Sequence, residues 1–381
     1  MTFIAGLSDI IVTYASRLLL LIVGLIGIGF LIGFHELGHF LFCKLFKIRT
    51  PSFSIGFGPR IIEKKIGETN FALSAIPLGG YVEIAGSAEM GQGEQQEAYS
   101  TDEYSFATKP YYQKMLVMGG GILFNLIFAY FAFTLVFMLG LPKSEIMYPV
   151  NAKPVLETIT KDSAAEKAGL QPGDEILAVN GIPLNDSGAK FIELAKPFAN
   201  QEATLHIRRN ELEQDIPVKF DEKIFLGEKL GVLGVSLLIV ETPGVGFFTA
   251  LKNGFQYANK IICDTFKAFR YIFTKRDVSQ MAGPVMLISA TAKGAGKGLR
   301  IFLIFLAIIS INLAILNLIP LPILDGGQAL FYTIEAIIGR SIPIKIKEYI
   351  ALSSWILIIL LTLYLTYKDI LRILSLKIFG S

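Results

Sequence analysis

Four long apolar runs stand out against a chain that otherwise mixes short hydrophobic and polar stretches: residues 18–42, 115–139, 301–319 and 349–367. A hydrocarbon core about 30 Å thick takes roughly 20 helical residues to cross. Each run therefore predicts a membrane-spanning helix. The first is too long for the roughly 7–15 apolar residues of a signal peptide and lacks a small-residue cleavage site. It ends instead in the basic stop Lys44, Lys47 and Arg49, as a retained helix would.

Between the runs the pattern changes. Residues 53–84 alternate or cluster like short strands broken by glycine, which predicts a β region close to the membrane. Residues 87–103 are acidic and rich in Gly and Gln and read as a mobile loop. Residues 145–240 form a compositional island with the features of a small soluble domain: strands near 155–159, 175–179 and 203–208, helices near 163–168 and 187–196, and further strands near 212–220 and 234–239. Asn180-Gly181 predicts a tight hairpin turn. Residues 244–273 place Phe247, Phe248, Leu251, Phe255, Ile262, Phe266 and Phe269 among polar positions. Such a helix can lie on the bilayer or on a protein surface.

Composition agrees with the pattern. Of 381 residues, 52% are hydrophobic and 18% charged, where soluble proteins approach a quarter charged. A net charge of +3 gives no basic stripe for nucleic acid. Two cysteines, Cys43 and Cys263, give no disulfide framework. Lys and Arg concentrate in residues 44–114 and again in 340–347. By the excess of positive charge in cytoplasmic loops, both loops are expected in the cytoplasm and residues 140–300 outside.

The chemistry lies in His35-Glu36-Leu37-Gly38-His39. Residues i and i+4 share a helix face, so two imidazoles can grip one zinc ion while Glu36 acts as base toward water. Three ionisable groups within five positions of an apolar span are costly and call for a function. Zinc needs a third protein ligand. The one remaining histidine, His206, falls in the soluble island, and Cys43 falls at the polar boundary. Glu335 and Asp369 sit nearer basic loops. Asp325 is the favoured choice: it follows Pro320 and Pro322, which interrupt helical bonding, and precedes Gly326 and Gly327. Broken backbone at membrane depth belongs where protein buries it or a cavity wets it. His35 lies 18 residues after Arg17 and Asp325 lies 25 after Arg300, so both reach the same half of the bilayer. Asn312 and Asn317 can donate to a substrate carbonyl or satisfy the broken backbone. Asn125 has the same two readings. Gly24, Gly29, Gly33 and Gly119 to Gly121 permit close helix approach.

Taken together, the segments His35–His39 and Asn317-Leu-Ile-Pro-Leu-Pro-Ile-Leu-Asp-Gly-Gly327 resemble the site-two protease family, in its bacterial regulated-intramembrane-proteolysis branch. Gly169-Leu-Gln-Pro-Gly-Asp-Glu-Ile-Leu-Ala-Val-Asn-Gly181 resembles a bacterial PDZ domain. The resemblance implies a polytopic α-helical membrane protein with about four transmembrane helices, a membrane-associated β region and one inserted PDZ domain. It implies a zinc endopeptidase of the bacterial inner membrane, with Zn2+ on His35, His39 and Asp325 and Glu36 as catalytic base. Asn312 matches a substrate-handling position, and residues 53–84 match a β element that pairs with extended substrate. The implied segments are 1–43 with the first helix, 44–114 as a cytoplasmic loop, 115–139, an extracytoplasmic PDZ domain over 145–240, an amphipathic 244–273, a third span over 299–330, and 349–367. Implied partners are single-span membrane proteins, such as anti-sigma factors or remnant signal peptides, an upstream site-one protease and the lipid bilayer. The PDZ domain is single where better-known members carry two. No Gly-rich carboxylate loop stands at 148–154, so a size filter is expected of it. A PDZ-bearing adaptor with a structural metal site is the alternative; an intact Glu36 argues against it.

Overall fold

The computed structural model describes residues 2–87, 95, 97–225, 227–275 and 281–379. In chain order the elements are α1 (Thr2–Leu45), β1 (Ser52–Ile66), β2 (Thr69–Val82), α2 (Tyr111–Leu139), β3 (Ala152–Ile159), α3 (Ala164–Lys167), β4 (Glu175–Val179), β5 (Ile182–Pro183), α4 (Gly188–Ala195), β6 (Glu202–Arg209), β7 (Leu212–Lys219), β8 (Asp221–Phe225), β9 (Glu228–Val232), β10 (Val235–Ile239), α5 (Phe247–Lys275), α6 (Pro284–Gly296), α7 (Leu299–Asn317), α8 (Asp325–Ile338) and α9 (Ile344–Phe379). Among the described residues, four stretches are long and apolar enough to cross a bilayer: Tyr14–Leu45, Tyr111–Leu139, Leu299–Asn317 and Lys345–Arg372. The chain is a multi-pass membrane protein. It divides into two compact units, one of Met1–Phe133, Phe255–Phe266 and Val278–Ser381, the other of Thr134–Gly254 and Lys267–Asp277.

In the membrane unit, α1 and α2 meet backbone to backbone. A Cβ on Gly38 would stand 2.2 Å from the Gly120 carbonyl oxygen, and one on Gly120 would stand 2.7 Å from that of Gly38. Small residues at such crossings let apolar helices gain dispersion contact that lipid cannot supply. The β region after α1 is more folded than two strands. Phe53 and Ile55 lie opposite Phe71 and Leu73 on one side and opposite Val82 and Gly80 on the other, while Ile62 to Ile66 pair with Leu73 to Thr69. Cys43, Ile48, Phe53, Val82 and Phe106 pack as one buried cluster beside this sheet.

Of the segment 87–103, residues 88–94 and 96 lie outside the described residues. The rest is tied down. Arg49 donates to Glu97 at 2.8 Å and to Asp102 at 2.5 Å. Its guanidinium holds the Asp102 carboxyl below the ordinary carboxylate range.

One helix was not legible in the sequence. α6 packs on α1, where Ala292 N stands 3.0 Å from a Cβ built on Gly24. The start of α6 is capped from α9: Gly283 N and Met286 N donate to Asp369 at 3.1 and 2.9 Å. That pairing explains a fully buried aspartate within an apolar helix. The middle of α5 packs on α2 through a Tyr130–Phe255 ring stack at 4.2 Å and a Tyr130 hydroxyl that donates to Asn259 at 2.6 Å.

The second unit is a β-rich insert. Its main sheet runs β10-β3-β4-β6-β7, with β5 beside β4, and β8 pairs with β9. Asn180 and Gly181 both take positive φ, 47° and 75°, as the predicted hairpin turn requires. Ser163 and Ser187 cap α3 and α4 through their side chains. Phe191, Phe220, Leu156, Ile176, Leu205 and Ile207 fill the core, each contributing roughly 1.5–3 kcal/mol by leaving water. Asp174, buried, takes Arg209 at 2.7 and 2.6 Å and Gln171 N at 2.8 Å. Burial pushes its carboxyl up, but these donors outweigh burial and hold it below the ordinary range.

Candidate active site

α1 delivers His35, Glu36 and His39 from one face. α7 stops at Asn317, the chain turns through Pro320 and Pro322, and a new helix, α8, starts on Asp325. The third apolar segment, expected over 299–330 with an interruption at Pro320 and Pro322, is two helices with a break between them. Gly326 and Gly327 are helical; their value is steric. A Cβ on either would stand 2.5 Å from Leu318 O or 2.1 Å from Leu321 O, so only glycine lets α8 begin folded against the break.

The break sets Asp325 against the histidines. Its Oδ2 lies 3.3 Å from His35 Nε2 and 3.4 Å from His39 Nε2, and the two Nε2 atoms are 3.2 Å apart. Among the described residues these three form a group able to hold a metal ion. Donors about 2.0–2.1 Å from a tetrahedral zinc would lie about 3.3 Å from one another, which matches all three separations. Asp325 Oδ2 is buried with no hydrogen-bond partner, a costly state that a cation would relieve.

The far ring nitrogens are held from α2. His39 Nδ1 lies 2.8 Å from Val117 O, so Nδ1 carries the proton and Nε2 keeps its lone pair. His35 Nδ1 meets the Asn125 amide at 3.1 Å. Ser310, on α7, lies 2.8 Å from Asn125 O and 3.5 Å from the Asn125 side chain. A hydroxyl has one hydrogen, and the carbonyl takes it. The structure sets Nδ2 against His35 Nδ1 and Oδ1 toward Ser310 Oγ; with the amide turned end for end, Nδ2 would donate to Ser310 Oγ and Oδ1 would accept from His35 Nδ1, which frees Nε2 as it does in His39. The two ends of an amide are close to isosteric, so the network decides their identity. Gly121 makes room for both rings: a Cβ there would stand 2.4 Å from His35 Cε1 and from His39 Nε2. Nothing in the linear order of residues singles out the ring-holding role of Asn125 over its other readings.

A cavity of about 290 Å³ opens on this group, lined by His35, Glu36, His39, Asn125, Asn317 and Asp325, by Gly80 and Val82 of β2, and by Trp355 of α9. Asn317 Nδ2 lies 3.4 Å from His35 Nε2. Asn312 does not line the cavity; its Oδ1 accepts from Thr265 of α5 at 3.4 Å. The other candidates lie apart. Cys43 is in the cluster beside the β sheet, Glu335 pairs with Lys347 at 2.7 Å, Asp369 caps α6, and His206 pairs with Asp215 and Glu213 on the insert.

A buried His-His-Asp group with a glutamate beside it, inside apolar helices, is the arrangement of a membrane metallopeptidase. The model of peptidase family M50 matches residues 23–361. The chain belongs to that family. It is 34% identical to a Campylobacter jejuni protein that carries a zinc-metalloprotease name, over 91% of this chain and 92% of the other. It is 32% identical to the membrane metalloprotease ARASP of Arabidopsis thaliana, over 89% and 76%, and 27% identical to the zinc metalloprotease RasP of Geobacillus kaustophilus, over 90% and 95%. The PDZ domain of an SdrC-like protein from Listeria monocytogenes matches 23% of this chain and 88% of that domain at 16% identity and a TM-score of 0.20, a likeness too slight to carry an argument. The M50 chain is a metalloendopeptidase of the site-two protease type.

Proposed function

We propose that this M50 protease uses Zn2+, held by His35, His39 and Asp325, to hydrolyse peptide bonds of single-span membrane proteins at membrane depth. The observation that carries the reading is the unpartnered Asp325 Oδ2 facing two Nε2 atoms inside apolar helices. Bound there, zinc would supply an activated water and a polarised scissile carbonyl. Glu36 accepts a proton from that water as its oxygen bonds to the carbonyl carbon. The C–N bond breaks, and Glu36 returns the proton to the leaving amine nitrogen. Asn317 offers its Nδ2 hydrogens to the substrate carbonyl oxygen. Asn312, tied to Thr265, positions substrate along α7.

The substrate must be extended for its carbonyl to reach the site. Gly80 and Val82 border the cavity, and Gly80 to Val82 pair with β1 on one side. Their other edge would receive an extended peptide through main-chain bonds without reading its sequence closely. Anti-sigma factors and remnant signal peptides, already trimmed by an upstream site-one protease, fit this requirement. We place the chain in a bacterial inner membrane, with the basic loops in the cytoplasm and the PDZ-type insert outside as a size filter.

The test uses full-length protein in liposomes with a tagged single-span substrate. Cleavage mapped by mass spectrometry to the substrate's span, stopped by a chelator and restored by zinc, is expected. Cleavage only in soluble regions of the substrate, or full activity in chelator, would sink the proposal.

A further inference from the structure

A second cleft, of about 360 Å³, lies where α2 begins and α8 ends, and shares no lining residue with the metal cavity. Tyr111, Lys114, Tyr332, Glu335 and Arg340 form its walls. Lys347, in the first turn of α9, stands 5.5 Å from the Tyr332 ring centre, and Lys114 stands 5.7 Å from the same centre. Two ammonium groups thus flank one aromatic ring, an attractive but partial compensation. The single carboxylate is already engaged: Glu335 Oε1 takes Lys347 at 2.7 Å and Ile342 N at 2.8 Å. Lys114 donates to Ala107 O at 2.9 Å. Neither Lys114 nor Arg340 has an ion pair among the described residues. Lys114, Arg340 and the neighbouring Lys347 therefore share one carboxylate, and the lining residue Arg340 has no ion pair among the described residues.

The depth of the cleft says what anion reaches it. The spans Tyr111–Leu139 and Lys345–Arg372 both begin beside it, so it sits where hydrocarbon gives way to headgroups. Tyr112 and Tyr349 are exposed there, as aromatic residues are at that boundary. Ile337, 80% exposed, and Ile338 extend an apolar surface from the end of α8. A ligand with an oxyanion head and an apolar tail satisfies both parts.

We propose that this cleft binds a phosphate group, supplied by the headgroup of an anionic phospholipid. Arg340 meets two phosphate oxygens through its fork, Lys114 adds a second charge from the opposite wall, and the acyl chains run along Ile337 and Ile338.

Native mass spectrometry of the full chain in detergent tests this, with phosphatidylglycerol, phosphatidylcholine and inorganic phosphate titrated separately. The first phosphatidylglycerol adduct is expected to form at least about tenfold more tightly than the phosphatidylcholine adduct. The double variant Lys114→Gln/Arg340→Gln should erase that preference. A control pair on the β sheet, Lys64→Gln/Lys65→Gln, should keep it. Unchanged thermal unfolding of the lipid-free double variant would show that the loss is local; if it unfolds early, Arg340→Gln alone, at an exposed loop position, carries the test. Equal affinity for the two lipids, or a preference that survives in the variants, would overturn the proposal. Saturable inorganic phosphate binding without lipid preference would overturn the lipid as the source.

Discussion

Among the described residues two clusters join imidazole to carboxylate, and they differ in what is left over. On the insert, His206 Nδ1 meets Asp215 at 2.8 Å and Nε2 meets Glu213 at 3.2 Å, on an exposed strand face. Each ring nitrogen has its own acceptor, and water can satisfy the remaining lone pairs. In the membrane unit, the outer nitrogens of His35 and His39 are spent on Asn125 and Val117, while both Nε2 atoms and Asp325 Oδ2 converge to within 3.4 Å of one another. Residue types alone do not make a metal site. Convergent lone pairs on buried side chains can, because burial makes an acceptor such as Asp325 Oδ2 with no hydrogen-bond partner costly and a cation correspondingly valuable.

The largest expected effect separates the two clusters. Asp325→Ala should lower bound metal from about one ion per chain to less than about a tenth, read by elemental analysis of purified protein, while His206→Ala should leave it unchanged. Metal retained in the Asp325 variant would erase the distinction. Next in size is the insert's own buried charge. Arg209→Leu strands the Asp174 carboxylate and should destabilise the insert by about 3 kcal/mol, seen as an earlier unfolding transition with metal content intact. Because the Asp174 carboxyl is held below its ordinary range, the stability it contributes is present above about pH 4. That contribution should fade as pH falls through the depressed value.

Asn125→Leu keeps the volume of the side chain but removes the group that holds the His35 ring. It should weaken metal affinity by about 10–100-fold, measured by chelator competition; an unchanged affinity would return Asn125 to a packing role. The smallest effect belongs to His206. Its hydrogen bond to Asp215, then that to Glu213, raises its pKa above the ordinary 6.5. The contribution is complete below about pH 6.5 and is lost as pH rises through the raised value. An NMR titration of the His206 ring should show the upward shift shrinking with added salt, as an exposed pair requires.

Much of this was legible in the sequence because the signals are local. Length and apolarity mark spans, His35–His39 marks one helix face, and Asn180-Gly181 marks a turn. Asp325 stood out because prolines and glycines beside a carboxylate have little reason to occur in lipid. The rest depends on which helix faces meet. α2 is apolar all round, so no periodic stripe reveals that Gly121 and Asn125 turn toward the histidines. The double flanking of residues 52–55 depends on a chain reversal that alternation alone does not encode. Asp369 reads as a boundary charge until α6, itself without a clear pattern, is seen to begin against it.

X-ray absorption at the zinc edge of the purified, metal-loaded protein measures the donor set directly. About one zinc per chain is expected, with two imidazoles and oxygen donors at about 2.0–2.1 Å and no sulfur. Sulfur at about 2.3 Å, the mark of Cys43, or a folded protein that takes up no zinc would contradict it.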